Sequence, residues 1–574
     1  MRGLRYIGIT HSATNDLSHS LAATAFDRPG FAAPARAFIT HKVTNDKILF
    51  FPSGQFLSFS LGKIQGFSKT EENLCNIFIN NRLRSIYKNY PPTHDWFPPY
   101  MKTEDIKNLT PVEYQLYPER YISAFKQYDK YFLFIERSLG LLREGGKVGY
   151  IVPGKFMKVG AAAKLRGVIS SGKHLQAITS FGAHQIFSDK STYSCILVLR
   201  KEEVDQFKYS EVDDFKGWRI RNPESVSSSE CNSLCIGENT WVLFTERHKE
   251  LFDMIWSDSL PLGEIVGDDG IFNGIQTSAN KIYVLSPLRE DRKYYHFKAF
   301  NKKEYQIEKA VTKPYYQTLQ GKDSLNSFRT FEPNARVVFP YKKDRAGRLH
   351  LMPLGEIKRR YPYFYAYLQD AKSELTKPTR DIKPIPASDN EWYRYGRQQS
   401  LDACEVAEKM IVGVLSQADK YAIDCRGTFV TSGGTAGYCM VRVPEDKKYS
   451  IYYIQAILGS IQGEWMASLY GEIFRGGYIA RGTKVLKQMP VRTIDFSNPD
   501  EVAIHDAIVE RQKKLIELGD KLAKAENNPR KSVPLLRRFN AMRDEQQEAI
   551  NTLYGMDTEK QKRIPLIKEL YATD

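Results

Sequence analysis

Tyr-Asp-Lys-Tyr-Phe-Leu-Phe-Ile-Glu (128–136), Leu-Leu-Arg-Glu-Gly-Gly-Lys-Val-Gly-Tyr-Ile-Val-Pro (141–153) and Ile-Phe-Ser-Asp-Lys-Ser-Thr-Tyr-Ser-Cys-Ile-Leu-Val-Leu-Arg (186–200) decide how this chain folds. From Tyr131 to Leu142 apolar residues recur at helical spacing, and Gly145-Gly146 predicts a left-handed close to that helix. Val148–Val152 is an apolar run of buried-strand length, stopped by Pro153. A second helix fits Val159–Ile169, and Leu175–Ser180 and Tyr193–Leu199 read as strands. Strand, helix and strand with Gly and Pro at the joints predict an α/β layer with a mainly parallel sheet.

Upstream, Leu74, Ile77, Phe78, Leu83 and Ile86 have helical spacing, followed by the proline-rich breaks Tyr90-Pro91-Pro92 and Phe97-Pro98-Pro99-Tyr100. Residues 1–60 read as an irregular or unrelated leader, poor in acids and rich in Ala, Ser and Thr over their first part. A flexible leader and a segment foreign to the fold, from a truncated or shifted reading frame, both fit; a transit peptide fits less well. Downstream, the polar stretch 206–260 reads as a linker, and 261–495 as a second, mixed α/β domain. Its expected strands include Lys281–Leu285, Ala335–Phe339, Met410–Leu415 and Gly437–Val443. In 496–574, Val502, Ile508, Val509, Leu515, Leu518 and Leu522 predict a helix. Pro529 and Pro534 divide it from a second helix, giving a helical hairpin as the tail.

The net charge of +16 and pI near 9.2 favour a polyanionic partner, nucleic acid ahead of an anionic membrane. No apolar run reaches the roughly eighteen residues of a membrane helix. Seven scattered cysteines suit reduced thiols in a cytoplasm, and Cys231 and Cys235 alone supply too few ligands for a structural zinc, so no metal residue is assigned.

Phe97-Pro98-Pro99-Tyr100 precedes Tyr128-Asp129-Lys130-Tyr131 by about thirty residues, and Phe187 opens the final apolar strand. This order resembles the second half of the catalytic domain of adenine-specific DNA methyltransferases, of the Taq type and of the fused restriction–modification enzymes. The resemblance implies a partial Rossmann-like methyltransferase domain, here 61–205, with S-adenosylmethionine as methyl donor and no metal in the transfer. In that family an (Asp/Asn/Ser)-Pro-Pro-(Tyr/Phe) loop accepts the two hydrogens of the adenine amine, localising its lone pair, while the aromatic stacks on the flipped base.

Carried over, the resemblance makes Pro98, Pro99 and Tyr100 catalytic, with the Pro98 carbonyl accepting from the amine and Tyr100 stacking. Phe187 would flank the far side of the base. Phe97 stands where the polar side chain belongs and cannot accept from an amine. Asn89-Tyr90-Pro91-Pro92 offers an Asn but inserts a Tyr. A proline-rich turn with an aromatic plug, and a core Phe at a strand entrance, are the competing readings of the two sites. The donor loop, aromatic-x-Gly-x-Gly with an acid beyond it, is approached by Phe51-Pro52-Ser53-Gly54 and by Leu61-Gly62-Lys63-Ile64-Gln65-Gly66 but matched by neither. Donor-binding residues stay unassigned.

Four further runs stand in the order of landmarks in the family's target-recognition domain. They are 274–284, Phe339-Pro340-Tyr341, Tyr395-Gly396-Arg397-Gln398-Gln399 and Gly476-Gly477-Tyr478, the last followed by 486–491. The resemblance implies that this domain binds double-stranded DNA. Arg394, Arg397, Gln398, Gln399 and Arg475 can donate to phosphates or base edges, although any one of them also suits a solvated surface.

The expected function is a site-specific adenine DNA methyltransferase of a bacterial or archaeal restriction–modification or phage-defence system, alone or with other subunits. The alternative is a catalytically degenerate or truncated relative that serves as a DNA-recognition subunit.

Overall fold

The computed structural model describes residues 100–565, except 183, 185, 188–192, 319–324, 378–388, 418–419, 434–436 and 475–476. Phe97, Pro98, Pro99, Arg475, the helical run at 71–90, Asn89-Tyr90-Pro91-Pro92 and both donor-loop approximations lie outside the described residues. The chain divides into two units, Met1–Glu250 and Leu251–Asp574.

In the first unit, α1 (Thr103–Leu109) and α2 (Pro111–Arg120) precede α3 (Lys130–Leu141). Tyr131, Phe132, Ile135 and Leu139 bury one side of α3, as their spacing requires. The helix closes at Leu142 with ordinary negative φ. Gly145 does adopt a positive φ of 72°, but in the turn where Gly146 N–H donates to the Arg143 carbonyl. The glycine pair therefore shapes the entry to β1 (Lys147–Pro153) instead of capping the helix.

After β1 come α4 (Ala163–Ser171), β2 (Leu175–Ser180), β3 (Ser194–Arg200), β4 (Gln206–Val212), α5 (Phe215–Arg219) and β5 (Val226–Asn232). The sheet order is β1-β3-β2-β4-β5. β1 and β2 share a direction, as the strand–helix–strand pattern demands, but β3 inserts between them antiparallel to both. β2 and β4 pair parallel, and β4 and β5 antiparallel. The sheet is therefore mixed, and the expectation of a mainly parallel one is corrected.

So is the linker, since β4 and β5 both fall within 206–260. In β4, Phe207 and Tyr209 point inward while Gln206 and Lys208 face out. β5 is an edge strand of intermediate and exposed residues, which is why its serines resemble a loop.

The second unit holds two four-stranded sheets. One orders as β12 (Phe429–Val430), β8 (Thr312–Tyr316), β9 (Ala335–Val338) and β7 (Val284–Leu285); the other as β11 (Tyr421–Asp424), β10 (Lys409–Gly413), β13 (Tyr438–Val441) and β6 (Ile271–Asn273). Most of Lys281–Leu285 is helix, not strand: α6 (Asn280–Tyr283) occupies it. Thr277 turns the chain there, its Oγ1 accepting the Ala279 N–H at 3.1 Å and lying 2.6 Å from Asn280 Oδ1.

The C-terminal region is helical, with α7 (Ile451–Leu458) packed on α8 (Pro499–Lys524) and α8 beside α9 (Pro529–Leu553). Pro529 sits in the first turn of α9, as expected, but Pro534 lies inside the helix instead of dividing it. As the sixth residue of α9 it deletes the N–H that would reach the Arg530 carbonyl, a cost the helix absorbs.

Gly519 lets α8 touch the chain before β9: an added Cβ would lie 1.8 Å from the Phe328 carbonyl oxygen. Gly519→Ala is expected to cost about 1–3 kcal/mol, as overpacking does. Thermal unfolding checks it, and an unchanged Tm would mean that the 328 segment yields freely.

Candidate active site and recognition surface

Each residue of Tyr-Asp-Lys-Tyr (128–131) has a definable structural task. The Tyr128 carbonyl accepts the Thr103 N–H at 3.1 Å and its hydroxyl at 2.6 Å. Asp129 Oδ1 accepts the Met101 N–H at 3.1 Å, and Oδ2 meets Lys155 Nζ at 3.1 Å. Lys130 N–H donates to the Met101 carbonyl at 2.8 Å. Its buried ammonium reaches Glu113 Oε2 at 2.7 Å, and burial lowers its pKa against the opposing pull of Glu113. Tyr131 is fully buried and meets the Tyr100 ring edge-on at 5.7 Å. The motif is thus a clamp that fixes residues 100–103.

Tyr100 is held at both ends of its side chain. The hydroxyl donates to the Ile151 carbonyl on β1 at 2.7 Å. Burial of that hydroxyl, with smaller effects from Cys195 and Asp129, raises its pKa far above the usual tyrosine value, so it stays a donor. The residue as a whole is 46% exposed. Pinned through its hydroxyl and packed edge-on against Tyr131, the Tyr100 ring has a fixed orientation beside β1.

Phe187 is partly buried and packs on a small cluster of Ile151, Phe181, Ile186 and Val212. Ile151 therefore joins the two sequence-predicted aromatics, through its carbonyl to Tyr100 and through its side chain to the cluster under Phe187. The same cluster carries aromatics that the sequence reading passed over. Phe181 meets Trp218 at 4.9 Å, and Phe215 stacks between His184 at 5.7 Å and Trp218 at 5.9 Å. Phe215 and Trp218 belong to α5, inside the stretch read as linker, so their only signal was the three-residue spacing of two aromatics.

For an adenosyl donor, the fit is incomplete. Asp129, the acid against the Tyr100 segment, has both oxygens committed to Met101 and Lys155. Among the described residues of the first unit there is no aromatic-x-Gly-x-Gly loop.

In the second unit, three of the four dispersed landmarks converge, while Gly476 of the fourth lies outside the described residues. Gly396 N–H donates to the Thr277 carbonyl at 3.1 Å and Arg397 N–H to the Gln276 carbonyl at 3.2 Å. Ile275 bridges Thr431 in parallel. Gly274 permits this approach, because a Cβ there would lie 2.3 Å from the Val430 carbonyl oxygen. Tyr395 N–H donates to the Tyr341 hydroxyl at 2.8 Å, so the Phe-Pro-Tyr landmark supports the same junction.

Arg397 and Gln398 emerge from it exposed. Gln399 turns inward, its Nε2 donating to the Gly274 carbonyl at 3.3 Å. Arg394 is held by Asp389 at 2.8 Å. The four do not form one equivalent set: two are presented outward and two are engaged within the fold.

The family model described as Eco57I restriction-modification methylase matches residues 98–187. Type II restriction enzyme and methyltransferase RM.Eco57I from Escherichia coli is 44% identical over 475 residues, 83% of this chain and 47% of that protein. Type II methyltransferase M.BstVI from Geobacillus stearothermophilus is 24% identical over 314 residues, 52% of this chain and 50% of that protein. The solved structure of the Type IIL restriction-modification enzyme MmeI in complex with DNA covers 83% of this chain and 56% of its own, at 12% identity and a TM-score of 0.46. The chain spans about half the length of the curated relatives it matches. At 44% identity over most of its length, and with the family model matching the residues that carry Tyr100 and Phe187, this chain is similar to the Eco57I restriction–modification methylases.

Proposed function

We propose that the chain is a site-specific adenine DNA methyltransferase of a bacterial or archaeal restriction–modification or phage-defence system. The observation that carries this reading is Tyr100 itself: a half-exposed residue whose ring is pinned through Ile151, the residue whose side chain belongs to the cluster under Phe187. A purine turned out of the duplex stacks on Tyr100, with Phe187 on its other side. The family resemblance makes the Pro98 carbonyl the acceptor of one amine hydrogen and Pro99 its neighbour in the motif. S-adenosylmethionine is the methyl source that the family resemblance implies. The work of the described residues is to orient the base and exclude water from its ring faces.

Double-stranded DNA is the partner of this reading, met in the second unit by Arg397 and Gln398, with Arg475, Gln399 and Arg394 in supporting roles. Arg397→Ala is expected to weaken duplex binding a fewfold and to reduce the slope of log affinity against log salt by about 0.9, as one lost phosphate contact does. An unchanged affinity and slope would remove Arg397 from the DNA surface.

A second reading, a catalytically degenerate recognition subunit, is favoured by Phe97, which cannot accept from an amine, and by the unmatched donor-loop pattern. One experiment separates the two: the full chain is incubated with radiolabelled S-adenosylmethionine and duplex DNA, and N6-methyladenine is measured alongside donor binding. Methyladenine formation supports the enzyme. Intact DNA binding with neither donor uptake nor transfer supports the recognition subunit.

A further inference from the structure

The C-terminal helical hairpin ends in a charge distribution that nothing inside the fold requires. The apolar contact that fixes it joins Leu515, Leu518 and Phe539 with Leu535, Met542 and Phe328. Asp520 of α8 accepts the Thr330 N–H at 3.0 Å and the Thr330 hydroxyl at 2.5 Å. The Phe328 and Phe539 rings meet edge to face at 5.4 Å, and the Arg543 guanidinium lies 5.1 Å from the Phe328 ring centre. The hairpin is therefore a fixed prong on the second unit.

Beyond that anchor, Lys521 and Lys524 end α8, and Arg530, Lys531, Arg537 and Arg538 open α9; all six are exposed. Among the described residues none of the six forms an ion pair, although nearby Arg511 and Lys513 do. The first turn of α9 holds no acid, and Asn528 makes no side-chain capping bond. The opening of α8 is the reverse, with Asn498 capping and Asp500 and Glu501 in the first turn. Arg530 and Lys531, in the first turn of α9, oppose its dipole, and like charges gathered at the hairpin repel one another. Such an arrangement is destabilising in the free chain and is offset when a polyanion lies against it.

Arg530 with Arg537, and Lys531 with Arg538, stand seven residues apart, so each pair lies on one side of the helix about 10 Å apart along its axis. We propose that this prong is a second, sequence-independent DNA contact, in which these cations straddle the phosphate backbone of duplex flanking the target. The inference rests on the reading that the chain acts on DNA. It adds a surface, distinct from the Gly274–Arg397 junction, that contributes affinity and no sequence choice. A membrane surface fits less well, because an interfacial helix needs a broad free apolar face, and with Phe539, Leu535 and Met542 committed to Phe328 only Val533 and Leu536 are exposed large apolar residues on this stretch.

The test uses the full chain carrying Arg530→Gln, Arg537→Gln and Arg538→Gln together, exposed positions where glutamine suits a helix. A control removes the same charge elsewhere through Lys298→Gln, Lys302→Gln and Lys303→Gln. Unchanged circular dichroism shows that each variant is folded. Binding to duplexes of unrelated sequence is measured across a salt series.

The prong variant is expected to lose affinity about tenfold or more at low salt and to flatten the salt slope by about 2–3, near 0.9 for each lost contact. The control should match the wild type. An unchanged slope in the prong variant overturns the proposal, as does an equal loss in the control. Loss of binding to phosphatidylserine vesicles with duplex binding intact overturns it too. Methyl transfer by the wild-type chain is read in parallel, so its absence counts against the enzyme reading while the salt slopes still judge the prong.

Discussion

Lys409→Met is expected to destabilise the second unit by about 3–5 kcal/mol, the usual result of stranding one partner of a buried ion pair. Lys409 and Asp424 are both completely buried on neighbouring strands β10 and β11, their charges 2.8 Å apart. The ammonium also donates to the Cys404 and Val406 carbonyls, at 2.9 and 2.7 Å. Asp424 accepts from the Thr428 N–H and hydroxyl, at 2.7 and 2.8 Å, and from the Arg426 N–H at 3.0 Å.

Removing the lysine leaves a carboxylate with hydrogen bonds but no counter-charge, and two carbonyls short of a donor. Adding Asp424→Leu to the same chain removes the stranded charge, so the double variant should recover part of the loss, though not the carbonyl bonds. Urea unfolding, followed by hydrogen exchange in β10 and β11, reads the effect locally. A cost below about 1 kcal/mol for Lys409→Met would mean that water reaches Asp424.

Tyr100→Ala is expected to lower the rate of methyl transfer by about 10–100-fold, since removing an aromatic from under a base costs about 1–3 kcal/mol. Tyr100→Phe keeps the ring and loses only the hydrogen bond to Ile151, a net loss of about 1 kcal/mol, or roughly fivefold. Duplex affinity should stay within twofold in both, because the proposed phosphate contacts are assigned to other residues, Arg397 among them. Single-turnover transfer and the fluorescence of 2-aminopurine at the target position measure chemistry and base eversion separately. Transfer by Tyr100→Ala at the wild-type rate would exclude Tyr100 from the site. Equal losses in Ala and Phe would make the Ile151 bond, not the ring face, the important feature.

What could be read before folding was whatever has a short period. Helix α3, strands β1 to β3, and helices α8 and α9 follow from apolar residues at spacings near 3.6 or in continuous buried runs, because those spacings are fixed by the backbone. The family resemblance was legible for a similar reason: Pro-Pro-Tyr, Tyr-Asp-Lys-Tyr and the Phe187 strand are local motifs in a fixed order.

Strand β5 was missed because its edge position leaves one face polar, so Val226–Asn232 looks like a loop until its partner is known. Lys281–Leu285 was misread because apolar, β-branched content is common to a strand and to a single helical turn.

Pairing and convergence were decided only in three dimensions. No local pattern says that β3 inserts between β1 and β2, that Asp129 spends its carboxylate on Met101 and Lys155, or that the Ile151 carbonyl holds Tyr100. Nor does composition separate Arg397, which faces solvent, from Arg394, which Asp389 holds. Spacing along the chain encodes which face of an element is buried; which groups then meet depends on packing between distant segments.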